Sequence, residues 1–559
     1  MNKKKPLKQS SSKVTIPEKR KRDYHLAFLF IIIAFISIIR YRLIGVFIER
    51  DEGEYAYIGN LFLNGVTPFK DGYSMKLPGT SFMYAFFMFF FGRTDTGIHF
   101  GLLVMNAVTI YLLYTVFKKI LNPFIGLATA TIYGFMAIGF PFIGFAAHAT
   151  HFICFYSAIA LLFLADFMKS GKQIKLFLLG LMLGMAFLMK QQAVFLILFA
   201  GLFLLFYLKT EKKLSLSEII KRLLLFSSGV VIPYALIFII ILCTGQFHTF
   251  WLWTVQYASQ YEGVKGIDTI GIYFKSSFVP AWRVYNYLWI MALAGVLVLF
   301  WSPYTRLQKL FVSGYIVAST CVLCSGFYFR PHYYVVILPA IGLLSGIFIE
   351  FSIKQLKGQI PVLKSYHTPL VILSVLVLIT IFNNGDYFFS YSAKRIGDIA
   401  FWGNPFSETR TIAKYIKENT NDSDKIAVLG SEPEIYFYSN RRAATGYLYT
   451  YPLVDQQPNN KVMQQQMIRE IEQNKPAIIV FCNIAYSWIV FPGTPRDIFD
   501  WGNTYTHDNY TPVAFVDFFK DEGWQFFWGD AIKTRTKQPQ SFMIIFKRNP
   551  DKGSLPHPS

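Results

Sequence analysis

YHLAFLFIIIAFISIIRYRLIGVFIERDEGEYAYIGN, residues 24–60, decides the class of this protein. Its first half is an apolar run of the length that crosses a bilayer, about 20 residues. The run lacks a small-residue cleavage site, so it reads as a retained anchor rather than a signal peptide. It ends on the acids Asp51, Glu52 and Glu54, set where a membrane helix would emerge.

Further runs of the same kind follow. Spans are expected near 24–42, 97–117, 122–142, 152–168, 174–190, 192–208, 223–244, 285–301, 309–328, 333–351 and 367–384, eleven in all. The shorter run 78–92 (PGTSFMYAFFMFFFG) is expected as an interfacial helix, with 43–96 and 245–284 as outer loops. The chain has 559 residues, of which 53% are hydrophobic and only 16% charged, and its mean hydropathy is +0.37. Soluble domains carry about a quarter charged residues and disordered chains are poor in apolar ones, so both classes are excluded.

The net charge of +21 raises nucleic-acid binding as an alternative. The position of the charges answers it. With the basic tail 1–23 in the cytoplasm, the cytoplasmic segments hold 24 basic and 6 acidic residues. The outer membrane segments hold 11 and 8, and residues 385–559 hold 19 and 19. That is the positive-inside pattern of a membrane protein. It calls for no nucleic-acid partner, and an odd number of spans places the C-terminus outside. Five cysteines add little: Cys321 and Cys324 form a CxxC inside an apolar run, with no zinc-like spacing.

Beyond residue 385 the apolar runs shorten to strand length. DKIAVLG (424–430), AIIVF (477–481) and SFMIIFK (541–547) read as buried strands, and TRTIAKYIKENT (409–420) and KVMQQQMIREIEQ (461–473) as helices. Strands alternating with helices predict a small extracytoplasmic α/β domain over 385–559. The fold class expected is mainly α: a transmembrane domain over 24–384 followed by that domain. No Gly-rich phosphate loop opens a helix, which argues against an enzyme using a nucleotide sugar.

Polar groups at membrane edges are candidates for function because burying them in lipid is costly. Asp51 and Glu52, with Tyr55 beside them, suit either a helix N-terminus or a general base and metal ligand. In PFKDGYSMKLPGTSF (68–82), Asp71 and Lys76 precede a Pro-Gly turn, and the lysine could snorkel or bind a phosphate as a point charge. His148 and His151 stand three apart at the mouth of a span, as a hydrogen-bonded pair or as two metal ligands. Lys190 interrupts two apolar runs. Arg330 and His332, in FRPHYY (329–334), suit an aromatic belt or a phosphate clamp. Together these groups describe an outer cavity for an anionic lipid head and a hydroxyl acceptor.

The order DEGEYAYIGNLFLNGVTPF (51–69), YSMKLPG (73–79), the run ending FFFG (89–92), RPHYY (330–334) and ILPAIGLL (337–344) resembles the bacterial family 39 membrane glycosyltransferases. These belong to the protein mannosyltransferase and aminoarabinose transferase superfamily of the GT-C fold. The resemblance covers about 24–384 and is strongest over 49–170. It implies a polyprenyl-phosphate sugar donor, an outer-face glycan, lipid or protein acceptor, and inversion at the anomeric carbon. It places Asp51 on the family's catalytic acidic position and Glu52 on its partner. Lys76 falls on the lysine of a Lys-Pro-Pro segment that contacts the donor phosphate, here Lys76-Leu77-Pro78-Gly79. Arg330 and His332 fall near positions associated with the lipid phosphate. Relatives often carry a second Asp where this chain has His148-Ala149-Thr150-His151, which leaves the acceptor and a divalent metal open. No cofactor is required by this reading. A glycan ligase with a polyprenyl-diphosphate donor is the nearest alternative, and a lipid or ion transporter the next. The polar clusters gather at one face and no internal repeat relates two halves, which disfavours a transporter.

Overall fold

Residues Tyr24–Leu43 form a single 20-residue helix, about 30 Å long and matched to the hydrocarbon core of a bilayer. The computed structural model describes residues 24–261, 267–365 and 367–550, so the basic tail 1–23 lies outside the described residues. Among the described residues, eight helices are long and apolar enough to cross a membrane: Tyr24–Leu43, Asp95–Ile120, Ala149–Ser170, Gln191–Thr210, Leu216–Cys243, Ile267–Trp301, Arg306–Phe327 and Leu338–Leu356. The other three expected spans are shorter helices, Pro123–Ala137, Ile174–Met189 and Thr368–Asn383. The chain is a multi-pass membrane protein. Pro123–Ala137 starts on an Asn122 cap with proline at its first position. It is buried almost throughout, between Asp95–Ile120 and Leu338–Leu356, so protein rather than lipid covers it and its length need not match the bilayer.

Residues 245–284 correct one expectation. In place of the expected outer loop, much of the segment is helical, and Ile267–Trp301 runs on for 35 residues. Such a helix is about 50 Å long, more than the hydrocarbon thickness. It bends at Tyr285 (φ −124°, ψ 20°), five residues after the internal Pro280. Asp268, Lys275 and Arg283 depress the hydropathy of the first half, although Ile270, Tyr273 and Phe278 pack on the core at helical spacing.

The expected interfacial helix is Gly79–Phe91. Tyr84, Phe87 and Met88 point inward, while Phe86, Phe89 and Phe90 are more than half exposed. Gly79 is obligatory at its start, since a Cβ there would stand 2.4 Å from the Leu188 carbonyl oxygen.

The helix that matters most for function is Arg50–Leu63. Its N-cap is Glu49, whose carboxylate accepts from the Glu52 N–H at 3.1 Å. Every residue from Glu52 to Leu61 is buried, because the helix is enclosed by the membrane bundle on one side and by the C-terminal domain on the other.

That domain carries a six-stranded sheet: β1 Lys425–Leu429, β2 Arg442–Ala443, β3 Ile478–Asn483, β4 Tyr510–Phe519, β5 Gly523–Trp528 and β6 Ser541–Arg548. The order is β2-β1-β3-β6-β4-β5. The first three strands are parallel, and the β3–β6, β6–β4 and β4–β5 pairs are antiparallel. The register shifts between Pro512 and Ala514, beside a proline that cannot donate to the ladder. The end of β1 leads into Ser431, Glu432 and the helix Glu434–Ser439.

This end of the domain docks on Arg50–Leu63. The Arg50 guanidinium donates to the Ser431 carbonyl and to Glu432 Oε1, the latter at 3.0 Å. The Ala443 N–H donates to the Tyr57 hydroxyl at 2.9 Å, and Tyr73 N–H donates to the Gly446 carbonyl at 2.7 Å. The two backbones come close at Gly53, where a Cβ would lie 2.6 Å from the Glu434 backbone nitrogen. In a free helix, Gly→Ala stabilises by about 1 kcal/mol. Here the sign is expected to reverse. Gly53→Ala should lower the melting temperature of the purified protein, at a cost of about 1–3 kcal/mol from overpacking. A variant melting at or above the parent would show that the close approach is not maintained.

Candidate active site

Asp51 sits in the first turn of Arg50–Leu63, where the helix dipole favours an anion. Its Oδ1 lies 2.8 Å from Lys76 Nζ. The same ammonium stands 2.6 Å from Glu54 Oε2 and 4.5 Å from the centre of the Tyr55 ring. The side chains of Lys76 and Asp51 are 23% and 34% exposed, whereas that of Glu54 is 2% exposed. The pair is therefore partly open to solvent, while Glu54 anchors it from the buried side. Tyr449, from the C-terminal domain, donates its hydroxyl to Asp51 Oδ1 at 3.1 Å.

The electrostatics follow from this arrangement. Burial pushes the Asp51 carboxyl up, but the adjacent Lys76 ammonium outweighs it and holds the group below the usual carboxylate range. Burial likewise opposes the charge on Lys76, and Asp51 and Glu54 override it, so the ammonium is held well above its ordinary value. Glu49, buried beside the charges of Asp51 and Glu52, is pushed up to about 8.

Two histidines face Asp51. His148 caps the Ala149–Ser170 helix and His332 lies in the turn Pro331–Val336. Their rings stack with centroids 3.8 Å apart and planes 13° from parallel. A ligand atom from each, with a carboxylate oxygen of Asp51, lies within 4.8 Å of the others. Burial lowers both imidazoles below their ordinary value, so they face the carboxylate as neutral rings. His148 Nε2 is buried and has no hydrogen-bond partner among the described residues.

The remaining candidates divide. Tyr55 lies under Lys76. Lys190 stands over the Tyr333 ring, 3.3 Å from its centre, and Tyr333 packs edge-on against His332 at 4.9 Å. Arg330 is exposed on the same turn, over Tyr328. Asp71 pairs instead with Arg442 of the C-terminal domain at 3.2 Å. His151 is buried with no partner for either ring nitrogen among the described residues and is not part of the Asp51–His148–His332 group.

Glu52 turns away from Lys76. Adjacent helical residues point about 100° apart. Its Oε1 accepts from Tyr84 Oη at 3.1 Å, Ala147 N–H at 2.7 Å and His99 Nε2 at 3.0 Å. The His99 Nδ1 contacts the Ile44 carbonyl at 3.2 Å, so both ring nitrogens face acceptors. Glu52 thus ties the Asp51 helix to Ala147, one residue before His148.

Two participants stand outside the candidate set, Glu54 and Tyr449. Glu54 carried a signal: it lies three residues after Asp51, on the same side of a helix. Tyr449 is 398 positions from Asp51 and carried none.

Comparison with known proteins agrees with this architecture. The structure matches ArnT from Cupriavidus metallidurans bound to undecaprenyl phosphate with a TM-score of 0.57 at 14% identity, covering 94% of this chain and 98% of that one. The fold is GT-C. The archaeal oligosaccharyltransferase AglB from Archaeoglobus fulgidus, in complex with an inhibitory peptide and a dolichol-phosphate, matches with a TM-score of 0.53 at 11% identity, covering 94% of this chain and 76% of that chain. Residues 75–238 match the family model described as dolichyl-phosphate-mannose-protein mannosyltransferase. No curated protein sequence matches the chain significantly. The GT-C frame spans both parts of the molecule, and the Asp51–Lys76 pair lies where they meet.

Proposed function

We propose that this GT-C protein is an inverting glycosyltransferase. It moves a sugar from a polyprenyl-phosphate donor to a hydroxyl group of a glycan, lipid or protein at the outer face of the membrane, with its N-terminus in the cytoplasm. The observation that carries the reading is the Asp51–Lys76 pair, a carboxylate and an ammonium 2.8 Å apart and both partly exposed. Two solved structures of the same fold hold a polyprenyl-type phosphate, undecaprenyl phosphate in one and dolichol-phosphate in the other, which supports the donor class.

Asp51 is the general base. While Lys76 holds it, its low proton affinity makes it a weak one. An arriving donor phosphate competes for the same ammonium, and as Lys76 turns toward it the carboxylate regains basicity. The acceptor hydroxyl then gives its proton to Asp51 as its oxygen bonds to the anomeric carbon. The bond from that carbon to the phosphate oxygen breaks on the opposite side, and its electron pair leaves with the polyprenyl phosphate. The transition state has oxocarbenium character, and Lys76, with Lys190 and Arg330 nearby, stabilises the departing charge. Glu52 acts through position, holding the Asp51 helix against the His148 segment.

Asp51, His148 and His332 are the residues that would hold a divalent ion. One carboxylate and two neutral imidazoles are the donor set of a catalytic site with an open position, and the orphaned His148 Nε2 is a buried donor atom in need of a partner. Such an ion would add Lewis-acid charge beside the phosphate. Protein incubated with Zn²⁺ or Mn²⁺ and then dialysed is expected to keep about one ion per chain by elemental mass spectrometry, and His148→Ala/His332→Ala to keep none. Equal retention by both would remove the site.

The function is tested by incubating purified protein with a panel of polyprenyl-phosphate sugars and membrane-derived acceptors, with detection by mass spectrometry. Transfer of one sugar with inverted anomeric configuration is expected. Transfer only from a diphosphate-linked glycan, or none, would overturn the assignment.

A further inference from the structure

We infer that Tyr449 of the C-terminal domain is a positioning residue of the transfer site, selecting which oxygen of Asp51 takes the acceptor proton. This rests on the proposed role of Asp51 as base and deepens it. Both groups that bind the carboxylate converge on one atom: Lys76 Nζ reaches Oδ1 at 2.8 Å and the Tyr449 hydroxyl reaches Oδ1 at 3.1 Å. Among the described residues, none donates a hydrogen bond to Oδ2. A substrate hydroxyl approaching from the exposed side therefore meets an oxygen with free lone pairs, while the other is fixed.

Tyr449 also touches the other half of the machinery, since its ring lies 5.4 Å from Lys76 Nζ. When a phosphate draws the lysine off Oδ1, the tyrosine hydroxyl stays. The carboxylate then keeps its rotamer. Without the hydroxyl, the freed carboxylate could rotate about its terminal bond, and the productive geometry would be one of several.

The segment that carries Tyr449 is built to hold it still. Next to it, Thr450 is fully buried; its N–H donates to Ser431 Oγ at 3.0 Å and its hydroxyl donates to the Ser487 carbonyl at 2.8 Å. Ser431 Oγ donates to the same carbonyl at 2.6 Å. The Tyr449 ring stacks on Tyr451 at 5.7 Å with planes 16° apart, and its hydroxyl also lies 3.0 Å from the Arg50 carbonyl, at the first turn of the Asp51 helix. Tyr451 offers an internal control. Its hydroxyl donates to the Tyr486 carbonyl at 2.6 Å, within the C-terminal domain.

The test compares Tyr449→Phe and Tyr451→Phe in the full-length protein, reconstituted with a polyprenyl-phosphate sugar that the parent accepts. Both variants keep the ring and its stacking. Tyr449→Phe is expected to lower kcat about tenfold, the scale of one hydrogen bond to a charged group, with KM for the donor within about twofold and the melting temperature unchanged. Tyr451→Phe should leave both constants within about twofold of the parent, as a hydroxyl outside the site would. An unchanged kcat for Tyr449→Phe, a loss confined to KM, or equal losses in the two variants would each overturn the inference. Parent-like transfer by Asp51→Asn would instead remove the base assignment itself, so the two failures are distinguishable.

Discussion

Asp51→Asn is expected to lose transfer by about 10²–10⁴-fold in kcat, the range that a positioned general base supplies. The substitution keeps the side chain's shape and one oxygen to accept from Lys76 or Tyr449. It removes only the capacity to take a proton at pH 7. Folding is expected to hold, because Lys76 retains Glu54 at 2.6 Å and is not stranded in the site. Single-turnover transfer measured by mass spectrometry, alongside the thermal melt, separates the two effects. A variant that melts like the parent and still transfers at the parent rate would show that some other group deprotonates the acceptor.

Lys76→Met is expected to fail twice, in chemistry and in stability. The ammonium is the hydrogen-bonded cation of both Asp51 and Glu54. Removing one partner of a buried ion pair costs about 3–5 kcal/mol, and Glu54 is the more buried of the two carboxylates, so the melting temperature should fall. The donor phosphate would also lose a charge positioned for it, which is expected to lower kcat/KM for the lipid donor by about 10²–10³-fold. The double variant Lys76→Met/Glu54→Gln separates the parts. It removes the stranded carboxylate, so stability should largely return while transfer stays lost. If transfer returned with stability, Lys76 would be a structural cation only.

Much of the membrane domain was legible because each apolar run is long and has few competitors. The strands β1, β3 and β6 were legible for a related reason: IAVL, IIVF and FMIIF are short apolar runs, buried or half-buried throughout. β4 and β5 were not. YTPVAFVDFF contains a proline and a buried Asp517, and GWQFFW begins on glycine and alternates around a glutamine. Their pairing depends on each other and on β6, which no local pattern states. In the site, Asp51 and Lys76 were visible as motif residues, yet their neighbour Glu52 reads the same from the sequence and faces the opposite way. Adjacency along a chain becomes divergence on a helix. Asp71 was misleading for a different reason: its partner, Arg442, lies in the other domain, and nothing near residue 71 announces it.

The enclosure of Arg50–Leu63 has a consequence for the order in which this protein is made. The helix bearing Asp51 leaves the ribosome well before the residues that cover it, from Ser431 to Thr450. A chain that has delivered all of its membrane helices has not yet delivered a working site. Under the proposed function, a partly made chain could not transfer lipid-linked sugar before residues 431–450 had folded onto the Asp51 helix.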